Sequence, residues 1–330
     1  MNRCIELYPF AFDPIFKERI WGGRNLEKLY GKTLPPKKPF GESWEISDRP
    51  GDESIISNGP LRGRSLRWLM EQCPQDLLGP VNPTPKRFPL LIKILDACQT
   101  LSVQVHPPAA IATALGGEPK TEMWYVADAK PGAELYCGLK RGVTRSQFEQ
   151  KLSAGDVEEC IHRIPVSAGD AMWMPSGRIH ALGGGVVVFE VQQNSDTTYR
   201  VFDWNRLDDQ GKPRQLHVKE SLASIDFKDF EPSLLPRAVK DTAAGRLRPM
   251  VKNNLFDVAL RQLRGEETWK PRERRMRILG VTEGSLRVGE GRNAMLVQAG
   301  EFCLIPASCP GVPIAPRPAA DFLEIKLGAG

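Results

Sequence analysis

Long apolar segments are missing from this sequence. No run approaches the roughly 18 residues that a membrane-spanning helix needs, and the opening residues Met1-Asn-Arg-Cys-Ile-Glu6 lack the apolar centre of a secretion signal. The expectation is a cytoplasmic protein with no membrane partner. Paired cysteines are missing too: Cys4, Cys73, Cys98, Cys137, Cys160, Cys303 and Cys309 are odd in number and contain no C-x-x-C spacing. That argues against a disulfide framework and against a thiolate zinc site, and the seven read as reduced thiols, mostly in the core. An excess of one charge is also lacking, since 45 Lys and Arg face 40 Asp and Glu for a net charge of +5. Basic residues gather only at 270–277, with no nucleic-acid-binding module or interleaved aromatics beside them. This cluster reads as a solvated loop and strand edge, and no nucleic-acid partner is expected. The mild positive balance suits a small anionic substrate.

What is present describes an ordinary globular chain. Its 330 residues are 41% hydrophobic and 26% charged, more than one core usually serves, so two domains are expected. Glycine (30) and proline (28) punctuate short β-type runs such as 89–95, 101–105 and 186–191. Helix is sparse. The spacing of Leu66, Leu69 and Met70 predicts one helical insertion at about 62–78, and a capping box at Thr144 and Gln147 predicts another at about 144–162. Residues 231–250 are polar and proline-punctuated, a candidate linker or crossover. Beyond them the order strand, Glu283-Gly284 turn, strand, Ala299-Gly-Glu301 turn, strand reads as a small jelly roll, and 165–175 carries a similar signal. The expected fold is all-β dominated, with tandem jelly-roll barrels divided at 1–235 and 236–330.

Only four histidines occur. In Leu101-Ser-Val-Gln-Val-His106, strand alternation places Ser102, Gln104 and His106 on one face, between apolar Val103 and Val105. Glu122 lies in Lys120-Thr-Glu-Met-Trp-Tyr125, and His180 follows a turn in Pro175-Ser-Gly-Arg-Ile-His180. Imidazole and carboxylate groups on neighbouring barrel strands can converge on a metal ion. By spacing alone this face reads first as a hydrogen-bonded core and second as a metal site. His162 and His217 sit in polar sequence and read as surface residues. From Glu190 to Asp203 the chain begins as a strand and then concentrates Glu, Gln, Asn, Asp and Arg, as expected of a barrel mouth.

Four stretches, Leu101-Ser-Val-Gln-Val-His-Pro107, Lys120-Thr-Glu-Met-Trp-Tyr125, Pro175-Ser-Gly-Arg-Ile-His-Ala-Leu182 and Glu190-Val-Gln-Gln-Asn-Ser-Asp-Thr-Thr-Tyr-Arg200, resemble in order the signatures of type I phosphomannose isomerases of the short bacterial form. Arg19-Ile-Trp-Gly-Gly23 and Gly41-Glu-Ser-Trp-Glu-Ile-Ser47 support the match, which covers about residues 8–220. The resemblance implies a cupin-type fold and one zinc ion (Zn2+) per chain, bound by Gln104, His106, Glu122 and His180. Gln104 could instead support the ligands from behind, because a neutral amide oxygen binds zinc weakly. The reaction implied is the interconversion of mannose 6-phosphate and fructose 6-phosphate through an enediol, with Arg200 as active-site arginine, Glu190 and Lys120 as acid/base candidates, and Lys93 and Ser102 as phosphate contacts.

The chain also departs from the family. His106 is followed by Pro-Pro-Ala-Ala where many relatives carry Asp, so no substrate contact is expected from that loop while the metal site is unaffected, and the C-terminal third matches only in β character. Two other functions fit a cupin barrel with these residues: an iron-dependent oxygenase, and a sugar-phosphate-binding barrel without turnover. A monomer or weak homodimer is expected.

Overall fold

The computed structural model describes residues 5–207 and 211–328; the start of the chain, with Cys4, lies outside the described residues. Among the described residues the fold is mostly β, with six short α-helices, as expected. Strands build three principal antiparallel sheets. The first runs Ile15–Gly23, Phe40–Ile46, Leu90–Ala97, Val186–Gln193, Glu122–Ala129, Ala171–Met174 in spatial order. The second runs Tyr199–Phe202, Val103–Val105, His180–Leu182, Glu134–Leu139, Ile161–Pro165. The third gathers the strands from Lys240–Asp241 to Ile314–Leu327.

The first sheet is the middle layer, and its sequences show why. Leu90–Ala97 is buried at every position and Val186–Gln193 at all but the last, as strands covered on both faces should be. Side chains alternate between the covers. Ile92, Ile94, Phe189 and Val191 pack with Phe256, Ile278, Phe302 and Leu323 of the third sheet, while Leu95, Val186 and Val188 pack with Leu135, Cys137 and Leu182 of the second. Lys93 and Glu190 belong to the face turned toward the second sheet, where apolar packing gives way to a polar cleft.

Packing does not stop at the expected boundary near residue 235, because one buried cluster joins Phe10, Ile92 and Phe189 to Phe256 and Phe302. Phe10 also exchanges backbone hydrogen bonds with Leu304. Each such aromatic side chain, fully buried, stabilises the fold by about 2–3 kcal/mol.

Helices occupy Leu66–Gln72, Pro74–Leu78 and Arg145–Ala154, the last opened by the reciprocal Thr144 and Gln147 capping box. Three expectations need correction. The 231–250 linker holds the start of the strand Arg246–Lys252, because buried Arg248 donates to the carbonyls of Gly169, Leu235 and Pro236 and anchors it. The 270–277 cluster is solvated only in part: Arg277 is buried against Glu324. His217 is no free surface residue, since it is half-buried and its Nδ1 accepts from the Arg200 N–H at 3.2 Å.

Candidate active site

Sheet register brings the distant motifs together. In the second sheet Gln104 lies directly between His180 and Arg200 as cross-strand partner of both. In the first, Glu190 pairs with Lys93 on one side and Trp124 on the other. The two sheets meet at Glu122. Its Oε2 lies 3.5 Å from His106 Nε2 and its Oε1 3.4 Å from His180 Nε2.

These three residues are buried, and their ligand atoms lie within 4.8 Å of one another. The second ring nitrogens fix the tautomers: His106 Nδ1 donates to the Thr197 carbonyl and His180 Nδ1 to the Arg178 carbonyl, each at 2.9 Å. Both Nε2 lone pairs are thereby aimed inward, the usual orientation of metal-ligating imidazoles. His106 Nε2 and Glu122 Oε1 have no hydrogen-bond partner among the described residues. Glu122 Oε2 meets the Lys120 ammonium at 2.8 Å as an ion pair, without the alignment of a hydrogen bond. Buried orphan acceptors converging on one point are costly unless a cation joins them, so the donor set fits a zinc ion. The Gln104 amide lies 3.2 Å from His180 Nε2, and with its carbonyl oxygen turned inward it would supply a fourth donor.

Protonation states agree with this fit. Burial, and then the Lys120 ammonium, push the His106 imidazole down to about 3, and burial lowers His180 as well, so both rings are neutral. Burial alone would raise Glu122, but the Lys120 ammonium outweighs it and holds its carboxyl well below the usual range.

Beside the trio opens a cleft of about 360 Å³. Lys93, Ser102, Gln104, Lys120, Glu190 and Arg200 all line it. Arg200 donates from Nε to Ser102 Oγ at 3.3 Å and from Nη1 to the Gln215 carbonyl at 2.8 Å, and burial followed by Arg214 lowers its pKa. Glu190 Oε1 accepts from Trp124 Nε1 at 2.9 Å, while among the described residues Oε2 has only Lys93, 3.4 Å away. Burial raises the Glu190 pKa in spite of Lys120 and Lys93.

Sequence reasoning missed Arg19, Glu42 and Arg214, which also line the cleft. Arg19 and Glu42 lie in motifs noted for resemblance alone; Arg214 sits on an irregular segment with no periodicity to mark it. Thr197 was equally hidden, because it acts through its backbone carbonyl.

Comparison with known proteins agrees with this geometry. Residues 10–151 match the model of the phosphomannose isomerase type I catalytic domain, which includes Gln104, His106 and Glu122. The probable mannose-6-phosphate isomerase GmuF of Bacillus subtilis is 36% identical over 91% of this chain and 94% of its own length. The mannose-6-phosphate isomerase of Streptococcus mutans is 43% identical over 65% of this chain and 66% of its own. A crystal structure of mannose 6-phosphate isomerase from Bacillus subtilis superposes with a TM-score of 0.87 at 32% identity, covering 97% of this chain and 99% of that one. On identity that spans nearly the whole of both chains, this chain belongs to the type I phosphomannose isomerase family.

Proposed function

We propose that the protein is a zinc-dependent aldose–ketose isomerase that interconverts mannose 6-phosphate and fructose 6-phosphate. The observation that carries this reading is the convergence of His106, Glu122 and His180 on one point beside a cleft lined by Lys120, Glu190 and Arg200. A zinc ion held there, with Gln104 as fourth donor, would serve as Lewis acid toward the oxygens on C1 and C2 of the open-chain sugar.

The chain's own groups supply the rest. Isomerisation moves a proton between C1 and C2 through an enediol, and a base must reach both carbons. Glu190 is buried with a raised pKa and one oxygen free of hydrogen bonds, suited to accept the proton from one carbon and return it to the other. Lys120 is held charged by Glu122 and Glu190, which outweigh burial, so it acts as a proton donor or fixed cation and leaves the base to Glu190. Arg200 stabilises negative charge developing on the sugar oxygens.

For the phosphate, Lys93 was expected, but its ammonium is flanked by Glu42 at 3.6 Å and Glu190 at 3.4 Å and carries little uncompensated charge. The surplus cations stand on the opposite wall: Arg200, and Arg214, whose Nη1 reaches Asp203 only at 3.4 Å. We assign the phosphate to these two with Ser102. No described helix is long and apolar enough to cross a membrane. The reading places the enzyme in the cytoplasm, as a monomer or weak homodimer with one zinc per chain and catalytic residues in 1–235.

A coupled assay of mannose 6-phosphate conversion tests this function. Robust production of fructose 6-phosphate is expected, whereas tight sugar-phosphate binding by folded, zinc-loaded protein without conversion would overturn it.

A further inference from the structure

The first sheet carries a buried row of alternating charge across its cleft face. Arg19 Nε reaches Glu42 Oε1 at 2.6 Å, Glu42 Oε2 lies 3.6 Å from Lys93 Nζ, and Lys93 Nζ lies 3.4 Å from Glu190 Oε2. Glu42, Lys93 and Glu190 are all buried. The row is built by strand register, because Trp44 is the cross-strand partner of Lys93 and Lys93 of Glu190. Glu42 is fixed from two further sides. Trp44 Nε1 donates to its Oε2 at 2.7 Å, and the Trp44 ring lies 4.9 Å from Lys93 Nζ. Arg19 is brought in by close backbone approach at Gly41, where a Cβ would fall 2.5 Å from the Trp21 ring and 2.7 Å from Arg19 Cβ.

Left alone beside Glu190, a buried ammonium would collapse onto it and hold it ionised, a poor proton carrier. Glu42 offers that ammonium a second carboxylate at nearly the same distance. We propose that Glu42, held by Arg19 and Trp44, is a positioning residue that draws Lys93 away from Glu190 and so leaves Glu190 able to take up and return the substrate proton. This rests on the assignment of Glu190 as the acid/base.

The groups facing Glu190 are Lys93 on one neighbouring strand, Glu122 and Trp124 on the other, Lys120 before that strand, and Asp196, Arg200 and Arg214 across the cleft. None of them changes in Glu42→Gln or Arg19→Gln, and the two variants act on Glu190 with opposite sign. Removing the Glu42 charge delivers Lys93 to Glu190 and favours the carboxylate. Removing Arg19 frees Glu42 to hold Lys93 more tightly and favours the protonated acid.

The test is the pH dependence of kcat for zinc-loaded wild type, Glu42→Gln, Arg19→Gln and the double variant, with zinc content measured on each. The acid limb is expected about one pH unit lower in Glu42→Gln, higher in Arg19→Gln, and between the two in the double variant. Limbs that stay in place, or move in one direction in both variants with zinc retained, overturn the positioning role. If Glu42→Gln does not fold, Arg19→Gln at its half-exposed position decides alone: an upward shift supports the role and an unmoved limb ends it. Glu190→Gln separates the two layers. Retained turnover there refutes Glu190 as the acid/base itself, whereas lost turnover with unmoved limbs refutes the positioning role only.

Discussion

Two of the places where the molecule buries charge are built differently. In the third sheet Glu324 is shared by two buried arginines, Oε1 accepting from Arg277 Nε at 3.2 Å and Oε2 from Arg261 Nη2 at 3.1 Å. Arg261 also stacks on the Trp269 ring at 4.0 Å. Both carboxylate oxygens there are satisfied by protein groups. Between the first and second sheets, by contrast, Glu122 Oε1, His106 Nε2 and Glu190 Oε2 are buried without hydrogen-bond partners and lie at or beside an open cleft. A closed cluster holds strands together; an open one leaves acceptors for something that arrives. Burial of charge alone therefore does not mark a site, and unfilled acceptors beside a cleft do.

The contrast sets four expectations. Glu122→Gln removes the one carboxylate of the trio, and loss of zinc with at least about a thousandfold fall in turnover, ~4 kcal/mol, is expected by metal analysis and coupled assay. Wild-type metal content in that variant would erase the distinction between the clusters. Glu324→Gln strips the shared partner from two buried arginines and should lower unfolding free energy by about 4 kcal/mol in urea melts, with kcat within twofold of wild type at temperatures where the variant is folded.

The third expectation concerns acid. Burial pushes Glu42 up, but Lys93 and Arg19 outweigh it and hold the carboxyl at about 2, below its ordinary 4.5. Between those values the unfolded chain binds the proton that the folded one refuses, so stability rises with pH. On the order of 3 kcal/mol is fully present above about pH 4.5 and disappears as pH falls toward 2. Urea melts of wild type and Glu42→Gln should converge across that window; a constant gap between them would remove Glu42 from the acid response. Last, Arg200→Ala should keep its zinc and lose about a hundredfold in turnover, ~2.7 kcal/mol. Unchanged turnover would confine the open cluster's chemistry to the first-sheet wall.

Gln104 and His106, two residues apart, were legible as one polar face because strand alternation can be read locally, but only the resemblance of their motifs marked them, with Glu122 and His180, as candidate metal ligands. What could not be read was which strands become neighbours. Phe40–Ile46, Leu90–Ala97 and Val186–Gln193 lie side by side across long stretches of sequence, so the row from Arg19 to Glu190 has no local signature. Lys93 was readable as a cation but not as one enclosed by two carboxylates. The strand at Arg246–Lys252 was hidden by its own composition, since Arg248 and Pro249 look like linker until the three carbonyls that bind the guanidinium are in view.

The central claim is that His106, Glu122 and His180, with the unfilled acceptors of the first two, form a zinc site on which isomerisation depends. Metal-free protein titrated with zinc while mannose 6-phosphate turnover is followed tests it most directly. The account predicts negligible activity at the start and a linear rise that breaks at one zinc per chain. Full turnover in metal-free protein, or a titration without a break at one equivalent, would contradict it.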